Sequence, residues 1–345
     1  MCEGAFEVEL TKLIGRLADR EDLSGSEAEA AFDRFMEGSA SEIEMAALLM
    51  GLRMKGVQPV EVAGGVRALR TAMIPVSSSD PEALVDTAGT GGGSVTTFNI
   101  STAAALIAAG GGVPIAKHGN RSFTSRCGSA DVLEALGVKI DLTPERMGVV
   151  LEKAGIVFMF APLLHPAMRH VGPVRRGLGI TTIMNILGPL TNPAGARRQV
   201  IGVADPKLRD LVANALRELG HIHALVVHGE PGMDELSPSG VTYVSELSES
   251  GLTEYEVTPE GLGLEPADLV SRRGGEPAEN AKTIEGVLAG QEGGARSAAV
   301  INAAAAFLVS GKAASLTEGV SLAQTSIDSG GADEALGRLR EATNE

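Results

Sequence analysis

The stretch Asp86-Thr-Ala-Gly-Thr-Gly-Gly-Gly-Ser-Val-Thr-Thr-Phe-Asn-Ile-Ser-Thr102 decides how this 345-residue chain is organised. Residues 84–87 read as a short strand, and the alanine-rich run 101–109 reads as a helix. Between them lie Gly89, Gly91, Gly92 and Gly93, followed by Asn99-Ile-Ser-Thr at the start of the helix. Bare glycine amides next to the free N–H groups of a helix N-terminus make a place to hold an anion. Ser101 and Thr102 add hydroxyls that can cap the helix or touch a phosphate or a metal ion. The loop lacks the Gly-Lys-Ser/Thr ending of a Walker loop and the spacing of a GxGxxG fingerprint.

After this stretch, strands alternate with helices. Residues 114–117, 156–160, 199–204 and 224–228 read as strands, and 129–136 and 208–219 as helices. Residues 241–246 suggest an edge strand, and the C-terminal third ends in alanine-rich helices such as 297–309. Such alternation implies a mainly parallel central sheet covered by helices. Before the stretch the period is helical. Ser26-x-x-Glu29 and Ser41-x-x-Glu44 are capping-box patterns. Ile43, Ala46, Ala47 and Met50 recur at helical spacing, and Pro59 stands where a first helical turn tolerates proline, ahead of Val62, Val66 and Leu69. The turn-rich segment 75–83 marks a boundary. The expected architecture is α/β: a small N-terminal helical domain (1–75) and a larger α/β domain (80–345).

Composition narrows the function. With 29 Lys plus Arg against 44 Asp plus Glu, the formal net charge is −15. A chain that acidic does not gather on nucleic acid through its overall field, so an anionic ligand must be held by a local cluster of donors. The 44 glycines are well above the usual share of about 7% and sit in short loops, where backbone can approach a ligand closely. Two cysteines, Cys2 and Cys127, make neither a disulfide framework nor a zinc site, and Cys127 reads as a bland small residue rather than a nucleophile. The first dozen residues are acidic and lack the features of a secretion signal, and the uncharged stretch 177–196 is too rich in Gly, Pro and Asn to span a membrane. A cytoplasmic protein with no membrane partner is expected.

Three further segments carry chemistry. Lys117-His-Gly-Asn-Arg-Ser-Phe-Thr-Ser-Arg126 places Lys117, Arg121 and Arg126 close together after a strand, with hydroxyls from Ser122, Thr124, Ser125 and Ser129 nearby. Ser129 is also a natural helix N-cap, and Asp131 suits a first turn. The block 165–179 sets Arg169, Arg175 and Arg176 along a helix, where an arginine fork can clamp a carboxylate or serve a surface ion pair. Asp234 and Glu235 follow a strand in the loop 228–237; adjacent carboxylates facing a phosphate site suit Mg²⁺.

At these segments the chain resembles the anthranilate phosphoribosyltransferase family. The resemblance is carried in order by Gly89-Thr-Gly-Gly, Asn99-Ile-Ser-Thr, Lys117-His-Gly-Asn-Arg, the block 128–137, His165-Pro-Ala-Met, Asn185-Ile-Leu-Gly-Pro-Leu-Thr-Asn-Pro, His228-Gly and Asp234-Glu-Leu-Ser. It implies transfer of the phosphoribosyl group of 5-phosphoribosyl 1-diphosphate (PRPP) to anthranilate, with diphosphate released and Mg²⁺ required. It also implies a homodimer formed through the helical domain, to which a segment near 175–195 returns, and it makes anthranilate synthase a candidate partner. Carried over by position, Gly89, Gly92, Gly93, Thr97, Asn99, Ile100, Ser101, Thr102, Lys117, His118, Gly119, Asn120, Arg121, Ser122, Phe123, Thr124, Ser125 and Ser129 line the PRPP site. Ser101, Asp234 and Glu235 hold the metal, and Gly89, Asn120 and Arg175 meet anthranilate.

The sequence shows no clear general base; the substrate's own carboxylate or a water could take the proton, with His118 a weaker candidate. Three positions depart from the family pattern: Gly93 where Asp is usual, Thr181 where Arg is common, and Phe123 where smaller residues are usual. The rival readings are a pyrimidine nucleoside phosphorylase and a non-catalytic nucleic-acid-binding relative of the same fold. The first expects nucleobase contacts at Asn120 and in the 165–175 block, and the second a basic face that −15 opposes.

Overall fold

The computed structural model describes residues 9–95, 97–122, 126–267 and 274–345. The described residues open with four helices, α1 (Leu10–Ala18), α2 (Gly25–Glu37), α3 (Glu42–Lys55) and α4 (Pro59–Ala72). The capping box at Ser41 and Glu44 forms, and Pro59 occupies the first turn of α4. The other capping box lies two residues earlier than its pattern suggests. Ser24, not Ser26, is the N-cap of α2, and Glu27 reaches back to it. The sequence Ser-Gly-Ser-Glu-Ala-Glu satisfies the motif in two registers, and the register formed buries Ala28, Ala31, Phe32 and Phe35 together.

The α/β part follows in the order β1 (Val85–Gly89), α5 (Ile100–Gly110), β2 (Ile115–Gly119), α6 (Ser129–Ala135), α7 (Pro144–Ala154) and β3 (Ile156–Phe160). Next come α8 (Ala161–Leu164), α9 (Met168–Leu178), α10 (Met184–Leu187), β4 (Arg198–Gly202), α11 (Leu208–Glu218) and β5 (His223–Gly229). The strands β6 (Thr242–Ser248) and β7 (Gly251–Val257) then precede α12 (Pro277–Leu288), α13 (Gly294–Ser310), α14 (Leu316–Asp328) and α15 (Gly331–Asn344).

Among the described residues, seven strands form one sheet in the order β3-β2-β1-β4-β5-β6-β7. β1 to β5 are parallel, and β6 and β7 run antiparallel. The segment read as an edge strand is therefore internal, because β7 pairs along its outer side. Thr253, Glu254 and Glu256 make β7 polar and part-exposed, which hides a strand from a search for apolar runs.

The chain order reverses at β1: it steps to β2 and β3 on one side, then returns to β4 on the other. That reversal opens a crevice beyond the carboxyl ends of β1 and β4, where open α/β sheets bind ligands. α5 and α13 are buried almost all round, and their alanines let helix and sheet approach closely. Two apolar clusters support the layers. One joins β1–β3 to α5–α7 and α12–α15; the other joins α1–α4, α9 and α10 to α11 and the opposite face of β4 and β5. The helical segment and one face of the sheet thus share a core.

Candidate active site

Gly89, the last residue of β1, pairs with Gly202 of β4 at the crevice. A Cβ on Gly89 would lie 2.5 Å from Asp234 Oδ2, so only glycine lets the carboxylate approach. Gly91 turns the chain with φ +70° and donates its N–H to Asp234 Oδ2 at 2.8 Å. Gly93 packs beside the same loop, which Ser94 ties down by donating its N–H to the Gly232 carbonyl and its hydroxyl to the Pro231 carbonyl, both at 2.9 Å. The glycine loop and the acidic loop therefore form one unit.

Asp234 and Glu235 are held from behind. Asn302 of α13 accepts the Leu236 N–H at 2.9 Å and donates to the Leu236 carbonyl at 3.0 Å. Burial raises the pKa of Asp234, and burial together with the Asp234 charge pushes Glu235 up to about 8. The Ser101 backbone N–H donates to Glu235. Two part-buried carboxylates beside a serine hydroxyl, next to the glycine loop, fit a hard cation that keeps waters and other oxygens as its remaining ligands. Among the described residues, no group of three His, Cys, Asp or Glu side chains forms a closed metal site.

Lys117 is buried at the middle of β2. Its ammonium donates to the Thr87 carbonyl at 2.5 Å and to Thr87 Oγ1 and Ser101 Oγ at 3.2 Å each. Burial lowers its pKa, opposed by the charges of Asp86 and Glu235. All three of its hydrogens are engaged, so in this arrangement Lys117 acts through its charge and through its hold on Ser101.

Asp86 was not singled out from sequence, yet it is fully buried beneath the site. Its carboxylate accepts Asn192 Nδ2 at 2.8 Å, Gln199 Nε2 at 3.2 Å and the His118 N–H at 3.2 Å. Burial raises its pKa, but all three partners are donors, which hold the ionised form. Asp86, Asn192, Gln199 and Asn302 share one sequence signal, a polar residue within an apolar segment.

The remaining predicted residues are distributed as follows. Thr97 and Asn99 lead into α5. Ile100 begins that helix with its side chain in the core, and Thr102 is buried with its hydroxyl unpartnered among the described residues. Gly119 packs against Ser129, whose hydroxyl donates to the Asn120 carbonyl at 3.2 Å. The N-cap of α6 is Gly128 rather than Ser129; Asp131 accepts the Gly128 N–H at 2.8 Å and pulls the helix start back by one residue. Arg121 pairs with Asp131 and Glu134 of α6 at 2.7 and 2.6 Å and lies over the Phe160 ring, so its fork is already used. Ser122 donates its N–H toward Asp131 at 3.5 Å. Phe123, Thr124 and Ser125 lie outside the described residues.

His118 and His165 meet Nε2 to Nε2 at 3.2 Å. Burial pushes their pKa values down to about 3 and about 4, and at His118 the neighbouring His165 adds to the effect. So weak a base is poorly suited to keep a proton at neutral pH. Arg175, in the last turn of α9, is half-buried, its pKa lowered by desolvation, and its guanidinium makes no hydrogen bond or ion pair among the described residues.

Comparison with known proteins agrees with this arrangement. Residues 11–73 match the glycosyl transferase family helical bundle domain, and residues 81–333 match the glycosyl transferase family a/b domain. The anthranilate phosphoribosyltransferase of Symbiobacterium thermophilum is 49% identical, over 96% of this chain and 97% of its own length. The crystal structure of the anthranilate phosphoribosyltransferase from Thermus thermophilus superposes with a TM-score of 0.91 at 44% identity, covering 96% of this chain and 99% of that one. The Saccharomyces cerevisiae enzyme, solved in complex with PRPP and Mg, gives a TM-score of 0.87 at 27% identity, covering 97% and 98%. Identity this high across both parts of the chain has one meaning: the chain belongs to the anthranilate phosphoribosyltransferase family.

Proposed function

We infer that the chain transfers the phosphoribosyl group of PRPP to the amine of anthranilate, giving N-(5-phosphoribosyl)anthranilate and diphosphate, a step of tryptophan biosynthesis. The observation that carries this reading is the convergence at the ends of β1 and β4: the glycine loop, Ser101 above Lys117, and the part-buried pair Asp234 and Glu235.

The aromatic amine is a weak nucleophile, so the C1–O bond of PRPP is largely broken before the nitrogen attacks. The bond electrons leave with diphosphate, the nitrogen lone pair closes on C1, and the amine proton passes to the substrate's own carboxylate or to water. The protein's task is to stabilise the departing charge and align the amine. Gly89, Gly92 and Gly93 offer backbone amides, with Thr97, Asn99, Ile100, Ser101 and Thr102 at the head of α5 and Lys117 through Ser122, with Ser129, on the facing side. Ser101, Asp234 and Glu235 would hold Mg²⁺, which when bound neutralises charge on the diphosphate oxygens. Gly89, Asn120 and the uncommitted fork of Arg175 would orient anthranilate.

A homodimer formed through the helical segment is supported by Ile43 and Met54 of α3, 82% and 67% exposed, and by Ile180 beyond α9. Among the described residues no helix is long and apolar enough to cross a membrane, in keeping with a cytoplasmic biosynthetic enzyme.

The test is the loss of anthranilate fluorescence on mixing with PRPP and Mg²⁺, with EDTA and Asp234→Asn as controls. Metal-dependent loss with diphosphate release is expected. Absence of loss while PRPP still binds by calorimetry, or phosphorolysis of thymidine in its place, would overturn the reading.

A further inference from the structure

Asn99 is the N-cap residue of α5, yet its side chain makes no capping bond to its own helix. Its amide is turned sideways and held by two segments distant in sequence. Asn99 Oδ1 accepts Asn280 Nδ2 at 2.9 Å and the Cys127 thiol at 3.3 Å, and Asn99 Nδ2 donates to the Cys127 carbonyl at 3.2 Å. Asn280, in the first turns of α12, is 2% exposed, and its Oδ1 accepts the Gly275 N–H at 2.8 Å. One residue further back, a Cβ on Gly274 would collide with the Thr97 carbonyl oxygen, so the backbone leading into α12 lies directly on the residues before Asn99.

The donor and acceptor order in this chain is forced. The Gly275 N–H requires an acceptor, so Asn280 presents its oxygen there and its nitrogen to Asn99. Asn99 must then answer with oxygen, and the Cys127 carbonyl, which can only accept, takes its nitrogen in the same orientation. That nitrogen carries two hydrogens, and among the described residues only one has an acceptor. The other remains as a donor at the head of α5, beside the glycine loop. A turned-over Asn99 amide would present oxygen to an anion and repel it.

We propose that Asn280 is a positioning residue for PRPP binding, acting through Asn99 by fixing which edge of that amide offers a hydrogen. This rests on the assignment of Asn99 to the PRPP site. α12 thereby contributes to an anion site that it does not itself touch, and ties the glycine loop to the Lys117 loop at Cys127.

The test compares Asn280→Ala, Asn280→Asp, Asn99→Ala and the double variant Asn99→Ala/Asn280→Ala, with KM for each substrate and kcat measured at pH 8. Loss of one orienting hydrogen bond is expected to raise the PRPP KM of Asn280→Ala about fivefold, with the anthranilate KM and kcat changing less than about twofold. Asn280→Asp keeps an acceptor for Gly275 but sets oxygen against Asn99 Oδ1, so its PRPP KM should rise further. A role confined to anchoring α12 predicts the reverse order, Asp milder than Ala, and that order would overturn the proposal. The double variant should bind PRPP no worse than Asn99→Ala alone, because the second change acts through the first. If Asn99→Ala weakens PRPP binding and neither Asn280 variant does, the inference fails and the site assignment stands. If Asn99→Ala itself leaves PRPP binding unchanged, both fall. Should Asn280→Ala not fold, Asn280→Asp, which retains the Gly275 bond, carries the comparison with Asn99→Ala.

Discussion

The carboxylate of Asp234 accepts the backbone N–H of Gly91 at 2.8 Å, joining positions 143 residues apart in the chain. Through that bond the glycine loop and the acidic pair take their places together. Gly89 makes the approach possible, because a methyl group there would stand 2.5 Å from Asp234 Oδ2. Gly89→Ala is therefore expected to displace Asp234 and lower kcat/KM by about two orders of magnitude, the size of effect that misplacing a positioning group by about 1 Å produces. Steady-state assays with thermal melts would check this; wild-type activity in the variant would mean that the carboxylate is free to move aside at no cost.

Gly93 stands where the family usually has aspartate. Its Cβ position lies 3.1 Å from the Gly232 carbonyl oxygen and 3.4 Å from Asp234 Oδ1, tight but open to a small adjustment. Gly93→Asp would add a carboxylate beside Asp234, and more ligand charge strengthens cation binding. The Mg²⁺ concentration giving half-maximal activity should fall about threefold or more, with a change in PRPP KM. A titration of activity against Mg²⁺ that superposes on the wild-type curve would show this position to be silent.

Lys117 is the buried positive charge that faces Asp86 and Glu235. Lys117→Met keeps the length of the side chain but leaves those carboxylates without their opposing charge and Ser101 without its donor. Removing one partner from a buried set of charges costs about 3–5 kcal/mol, so denaturant unfolding should show a loss of that order together with loss of activity. A stability loss below about 1 kcal/mol would show that Lys117 is not needed to balance the acids.

His221 is 8% exposed, and its Nε2 lies 2.9 Å from Gln199 Oε1, the amide that in turn reaches Asp86. Burial, with Arg70 nearby, pushes its pKa down to about 3. The folded state thus prefers the neutral ring, while the unfolded chain takes up a proton near pH 6.5. The stabilising contribution is complete above about pH 6.5 and is lost as pH falls toward 3, at roughly 1.4 kcal/mol per pH unit. His221→Gln should flatten the decline in stability between pH 6.5 and 5, measured by urea unfolding at each pH. Parallel declines in the two proteins would show that other groups govern that limb.

Much of the fold was legible because it rests on local features. The alternation of strands and helices, the glycine loop and the proline at the head of α4 each express the preferences of a few consecutive residues. Element ends moved by a residue or two where motifs compete, as with Ser24 and Ser26 or Gly128 and Ser129. β7 escaped because a polar outer strand lacks an apolar signature.

The site was legible by type and less so by contact. The sequence by itself determined that a glycine loop heads a helix and that basic and acidic segments accompany it, since backbone freedom and charge belong to the residues themselves. It also carried the family resemblance, which rests on ordered blocks of residues. Only the tertiary structure decided that Lys117 is buried and saturated by Thr87 and Ser101, that Arg121 turns to Asp131 and Glu134, and that Asp86, Asn302 and Asn280 stand behind the site. Those outcomes depend on β4 and β5 lying beside β1 and on α12 and α13 packing over its end. A side chain's partner is set by which distant segments the sheet order brings within hydrogen-bond reach, and local sequence does not specify that.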